Sequence, residues 1–536
     1  MILCFHIIIF GLGCYKPVHN NQIFHYNESS GIASLDPAFA KSQSVMWVAH
    51  QLYNTLVETN DSLKMVPSLA KSWTISDDNR SIIFNLRKNV CFHDNDAFPN
   101  GRGRLMTAHD VEYSLSRVMD RNTGSSGAWI FNDKIDPSSG FKAINDSTFV
   151  LKLIKPFNPI LGILSMQYCS IVPHEVVEKY GKDFRDHPCG TGPFKFISWE
   201  EGQALILKRN DKYFEKDADG SQLPYLAGIK VSFYNSKATE FLEFQQHRLD
   251  FINDIDASFK DEVLLKNGEL RKEWLNRIIL QKQPFLNIEY LGILSDTLNI
   301  LLKNSPLRLL KVRQAINYSI DRRRMMLYVR NSIGTPAESG FIPAGMPGFD
   351  SSLIGYRYDP NKALSLLKEA GYPNGSGLPS IQLLTIPQYA DLGSYIANEL
   401  KQVGITLHVE TIQKSLLLEQ TAKSEALFFR GSWIADYPDA ENYLSVFYSK
   451  NPAPPNYTRY HNAAFDLLYE ESLREKNEIQ RYKIYQDADQ LMMKDAVVIP
   501  LWYDMVIRLV QPYIKYFIPN SLNLLELRRV RIDNNK

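Results

Sequence analysis

Apolar and polar positions alternate in five segments of the chain: SIIFNLRKNV (81–90), STFVLKLIKPF (147–157), QALILKRN (203–210), IKVSFYN (229–235) and ITLHVETI (405–412). Side chains two apart share one face of a strand, so this alternation predicts half-buried strands. Helical spacing recurs between them. In TAHDVEYSLSRVMD (107–120) Thr107 stands as an N-cap with Asp110 three residues on, and Val111, Leu115, Val118 and Met119 form one apolar stripe. In DPNKALSLLKEAGYP (359–373) Asp359 caps and Pro360 takes the first helical position. Ala363, Leu366, Leu367 and Ala370 face inward, and Gly371 and Pro373 end the helix. A long charged helix is predicted over 462–494, with Phe465, Leu468, Ile479, Tyr482, Tyr485 and Leu491 inward. Strands alternating with helices, without internal repeats, predict α/β lobes.

Length and charge narrow the picture. The 536 residues amount to about three or four domain-sized units. With 60 basic against 59 acidic residues there is no electrostatic footprint for nucleic acid and no polybasic attraction to a membrane surface. Aromatic residues reach 12%, enough to furnish both cores and a ligand cleft. The five cysteines, Cys4, Cys14, Cys91, Cys169 and Cys189, show no C-x-x-C spacing and an odd count, which is neither a zinc framework nor a disulfide scaffold. The apolar run MILCFHIIIFGLGC is too short to span a bilayer, for which about 20 residues are needed. It fits a secretory leader (1–14), and Gly11-Leu12-Gly13-Cys14 resembles a bacterial lipobox with Cys14 as the lipidated residue, although Gly11 replaces the usual Leu and no Lys or Arg precedes the run. The strongest later apolar stretch, FLNIEYLGILSDTLNILL, carries Glu289 and Asp296 and would insert badly.

Catalytic signatures are missing. The sequence has no G-x-x-x-x-G-K-[ST] loop, no G-x-S-x-G elbow and no H-E-x-x-H helix. Its 11 histidines do not fall at i, i+2 or i, i+4, so no local metal site is expected. Gly-rich patches such as PCGTGPF (188–194) read as turns. No cofactor is expected.

Seven segments, in order, resemble the extracytoplasmic solute-binding proteins of peptide ABC transporters, the oligopeptide- and dipeptide-binding family (family 5). They are 34–58, 66–94, 108–120, GTGPFKFISWEEGQALILKRNDKYF (190–214), VRQAINYSIDRR (312–323), KALSLLKEAGYP (362–373) and SWIADYPDAENYL (432–444). The resemblance runs from about Asn27 to Pro519. It implies a type II periplasmic-binding-protein fold, α/β, with two hinged lobes and an inserted domain. By this likeness lobe I takes 20–53, 185–283 and 491–536, the inserted domain 54–184 and lobe II 284–490.

The same resemblance points to site residues. A peptide offers backbone N–H and C=O groups, an ammonium and a carboxylate, so a site can pair its backbone as an added strand and fix its register with a buried acid. In the family that acid is the Asp of a motif like W-x-x-D, here Trp433-Ile434-Ala435-Asp436. Asp436 is therefore assigned to the ligand ammonium; the alternative is a helix cap, with Pro438 in the first turn. Arg430, at an offset where some oligopeptide binders meet a ligand carboxylate, either does so here or forms a structural ion pair, for which Asp436 is one partner. Trp433 flanks the first ligand residues or fills core. The backbone of Ser432–Ile434 is expected along one ligand edge and that of Lys41, Ser42 and Gln43 along the other. Some relatives have a disulfide cysteine where Ile434 stands; here Ile434 and Phe285 replace the pair, and Cys91, Cys169 and Cys189 are expected as buried apolar residues.

The resemblance thus implies a monomeric, non-enzymatic capture protein outside the cytoplasmic membrane, lipid-anchored through Cys14. It would pass di- or oligopeptides to a permease and its ATPase subunits. Alternatives are the same fold holding a nickel complex, haem or a sugar, or a secreted two-carboxylate hydrolase.

Overall fold

The computed structural model describes residues 22–353 and 355–533. The leader and Cys14 lie outside the described residues. The five predicted strands are present at Ser81–Leu86, Thr148–Lys152, Ala204–Arg209, Gly228–Ser232 and Leu407–Thr411. Helix Ala108–Met119 begins with the expected capping box between Thr107 and Asp110, and helix Pro360–Glu369 is capped by Asp359, whose side chain accepts from Lys362 N–H.

One four-stranded sheet runs Ile23–Asn27, Gly228–Ser232, Ala204–Arg209, Phe194–Glu200. A second, antiparallel sheet runs Ala70–Ile75, Ser81–Leu86, Thr148–Lys152, Phe141–Asn145 and carries helix Ala108–Met119 on one face. A single hydrophobic core joins these sheets, from Phe24 and Leu205 to Phe84 and Phe149. The inserted domain and the first lobe therefore pack as one body.

The second lobe is built on a seven-stranded mixed sheet. Its main path is Phe251–Asn253, Val498–Val510, Ile279–Ile293, Phe428–Ile434, Ile381–Thr385, Leu407–Thr411. Alternate residues of Ile279–Ile293 serve opposite cores: Ile288 and Tyr290 face one, Leu291 and Ile293 the other. The two longest strands, Ile279–Ile293 and Val498–Val510, run antiparallel between the lobes, and their pairing lapses between Pro284 and Ile288. Proline cannot donate to a ladder, which favours a break there. Residues 491–503, expected with the first lobe, instead pack with the second: Met492, Met493 and Tyr503 lie in one of its cores, Ile499 and Trp502 in the other. The crossing falls inside the strand, a boundary that no turn signal marks.

The helix expected over 462–494 is two helices, Ala463–Ser472 and Glu478–Asp495, the second capped by the Asn477 side chain. The physical cause lies across the interface. Asn158 of the inserted domain donates from Nδ2 to the Glu475 carbonyl (2.6 Å), and its backbone N–H donates to the Leu473 carbonyl (3.3 Å). The Asn158 donors stand in for helical N–H groups at those carbonyls, and Ile479, expected inward, is 77% exposed. Cys169 and Cys189 are buried as expected, whereas Cys91 is partly exposed.

Candidate functional site

Strand Phe428–Ile434 pairs along one edge with Ile279–Ile293, from Phe428 opposite Ile293 to Ile434 opposite Asn287. Its other edge meets Ile381–Thr385 only at Phe429. From Arg430 to Ile434 that second edge carries no strand among the described residues. An unpaired strand edge is a template for an extended ligand. Ser432 is half-buried and Ile434 exposed on this stretch.

Asp436 follows two residues beyond the strand. It is exposed to water, with protein close around it. The crowding raises its pKa to about 6, opposed by a hydrogen bond from Asn442 Nδ2 (3.3 Å). No cation forms an ion pair with Asp436 among the described residues. Its charge acts on the Tyr168 phenol, on the turn Gln167–Cys169, which packs against both Pro37–Phe39 and helix Gln43–Leu52.

The helix-cap alternative for Asp436 is not realised. The short helix Glu441–Leu444 follows a turn in which the Asp439 side chain accepts from Glu441 N–H (3.0 Å), leaving Asp436 free of that duty. Buried Asn442 organises the segment instead. Its Oδ1 accepts from Trp433 Nε1 (3.0 Å) and from Asp436 N–H (3.3 Å), so one amide orients both the indole and the acid. The sequence gave no motif for Asn442; its place on the turn of helix facing back to the strand end was the available signal.

Arg430 is paired, with Glu289 and not with Asp436. Glu289, opposite Ser432, sits two residues along the partner strand on the same face and is nearly fully buried, and Arg430 also stacks on the Tyr389 ring at 3.8 Å. Burial raises the Glu289 pKa to about 7 against the lowering effect of Arg430.

Lys41, Ser42 and Gln43 are exposed, but they do not form a strand edge. Lys41 N–H donates to the Phe39 carbonyl (2.8 Å), and the Ser42 carbonyl accepts from Met46 N–H (2.9 Å) at the start of helix Gln43–Leu52. What remains there is the unpaired N–H set of a first helical turn. Distant in sequence, Asp110, His174 and Glu175 come within metal-binding reach of one another. Arg104 occupies both acids, bonding Asp110 through Nη1 (2.8 Å) and Nη2 (2.6 Å) and Glu175 through Nε (2.5 Å) and Nη2 (2.8 Å). The single guanidinium offsets part of their charge and takes the oxygens a metal would need.

Comparison with known proteins fits this architecture. Residues 64–455 match the bacterial extracellular solute-binding proteins, family 5 middle region. Heme-binding protein A of Haemophilus influenzae is 26% identical across 96% of this chain and 93% of its own. The dipeptide-binding protein of Escherichia coli K12 is 25% identical across 90% of this chain and 89% of its own. The solved structure of HbpA2 from Haemophilus parasuis shares the fold, with a TM-score of 0.82 at 22% identity over 95% of this chain and 100% of that one. No helix among the described residues is long and apolar enough to cross a membrane. The chain belongs to the family 5 extracellular solute-binding proteins, which bind substrates for transporters and are not enzymes.

Proposed function

We propose that this protein captures di- or oligopeptides outside the cytoplasmic membrane and delivers them, by lobe closure, to an ABC permease and its ATPase subunits. The observation that carries the reading is Asp436: a water-exposed carboxylate with no cation among the described residues, two residues beyond an unpaired strand edge. The peptide ammonium supplies the missing cation, and the backbone from Arg430 to Ile434 pairs the peptide as an added strand. Trp433, held by Asn442, flanks the first residue, and the free N–H groups at Ser42 and Gln43 face the ligand from the other lobe. The ligand touches both lobes and so favours the closed arrangement. Lobe I comprises 20–53, 185–283 and the chain beyond the crossing at Tyr503–Met505, with 54–184 inserted and the remainder in lobe II. The mature protein acts as a monomer, anchored through lipidated Cys14.

Calorimetry tests the reading. Free peptides bind; N-acetylated peptides and the Asp436→Asn variant lose about 100-fold or more, as expected when a buried charge loses its partner. Equal affinity for free and acetylated peptides would remove Asp436 from the site. The name of the Haemophilus influenzae relative supports a second reading, haem as ligand. A Soret-band titration distinguishes it, since saturable haem binding that excludes peptide favours haem.

A further inference from the structure

The environment of Arg430 narrows the class of peptide, an inference that rests on the peptide reading above. Of its three guanidinium nitrogens, Nη2 donates to Glu289, while among the described residues Nε, which is buried, has no acceptor and Nη1 donates to no protein atom. The face of Tyr389 covers the guanidinium, and the Tyr389 hydroxyl lies 3.4 Å from Glu289 Oε1. A ligand oxygen arriving here therefore finds Nη1 as a free donor and, next to it, an acid already paired with the guanidinium through Nη2. A neutral carbonyl or amide oxygen can accept from Nη1. A carboxylate forking onto Nη1 and Nη2 would have to share Nη2 with Glu289. It would also place two acids against one cation in a site with little water.

The wider surroundings do not relieve that conflict. The groups facing Glu289 are Arg430 from its own sheet, Tyr389 from the turn Pro387–Tyr389, Asp504 from strand Val498–Val510 and Arg330 from helix Arg322–Arg330. Arg330 is itself committed to Asp504 (2.9 Å), so the quartet is two cations against two anions.

We propose that Glu289 closes the Arg430 position to a ligand carboxylate. The protein then selects peptides that present a neutral acceptor at this point, as a carbonyl of a chain running onward or a terminal amide, over peptides ending there as free acids. Glu289 is a specificity-determining residue that never needs to touch the ligand. A free acid can enter only if Glu289 takes up a proton and releases the fork. The burial that already raises the Glu289 carboxyl supports this route.

The experiment is calorimetry with alanine peptides of two to five residues, each as free acid and C-terminal amide, on the wild type and on Glu289→Gln. At the length whose end reaches Arg430, the wild type is expected to bind the amide at least about tenfold tighter than the acid, and Glu289→Gln to reverse the order. Titration of the wild type in two buffers of different ionisation enthalpy gives a second measure that needs no variant. At pH 8 both ligands take up protons at the α-amino group that Asp436 receives, and binding of the acid takes up close to one proton more than binding of its amide. Acid preferred at every length in both proteins, or equal proton uptake by acid and amide, overturns the role of Glu289 while leaving the peptide reading intact. Failure of every peptide to bind, acid or amide, overturns the peptide reading and the filter with it.

Discussion

At the scale of single residues, the cleft acids have carboxyl groups titrating in the neutral range. Asp436, raised to about 6 by its surroundings, folds more readily protonated than ionised. The sign follows: this residue favours the fold at acid pH and loses that contribution as pH rises from its ordinary value towards 6. Ligand binding runs the other way, because an ammonium selects the ionised form. On the proposed reading, affinity for a peptide amide is expected to be highest near pH 7, to fall through pH 6 towards tenfold per unit below it, and to decline again above about pH 8 as the α-amino group loses its proton. Asp436→Asn should be weak and flat over the same range; calorimetry at pH 5 to 8 checks both. The W-x-x-D pattern made Asp436 legible in the sequence, through likeness to a family. Glu289 stood out only as a charge spoiling an apolar run. Its partner, 141 residues away, becomes visible only when two strands are placed in register.

At the scale of elements, local chemistry announced starts and stops wherever neighbours along the chain supply the partner. The Thr107–Asp110 box and the Asp359 cap are of this kind. The break at 473–477 is not, because the donors that break it come from Asn158, in another domain. The segment PCGTGPF shows the same limit. It reads as a turn, yet neither Gly190 nor Gly192 needs a left-handed backbone; they press against helix Gln43–Leu52 as it ends. A Cβ at Gly190 would lie 2.2 Å from the Leu52 carbonyl oxygen, and one at Gly192 2.4 Å from that of Gln51. Gly190→Ala is therefore expected to cost about 1–3 kcal/mol, measured by chemical denaturation, with peptide affinity unchanged in the protein that remains folded.

For the whole molecule, the two bodies meet at more than the crossing strands. Leu63, on the hairpin Val57–Thr59/Met65–Pro67, is buried in the second lobe's core with a positive φ of 59°. Tyr437 of the second lobe is buried in the first body's core. With Asn158, these contacts form a seam apart from the hinge. Asn158→Ala should strip the Ser472 and Glu475 carbonyls of their side-chain donor, keep the backbone bond to Leu473, and lower stability by about 1–2 kcal/mol. Hydrogen exchange is expected to rise at 473–477 and not in the sheet of Ile23–Asn27. Small-angle scattering should show peptide shrinking the wild type; an unchanged radius of gyration would argue against closure. The sequence by itself determined the α/β class, most strands, the helix caps and the absence of familiar catalytic motifs, because each rests on periodicity or on residues a few positions apart. The tertiary structure decided where the chain crosses between lobes, which helix breaks, and that Glu289 holds Arg430 while Asp436 has no cation. Those outcomes depend on groups brought together from distant parts of the chain, and burial sets their charge, so no local pattern encodes them.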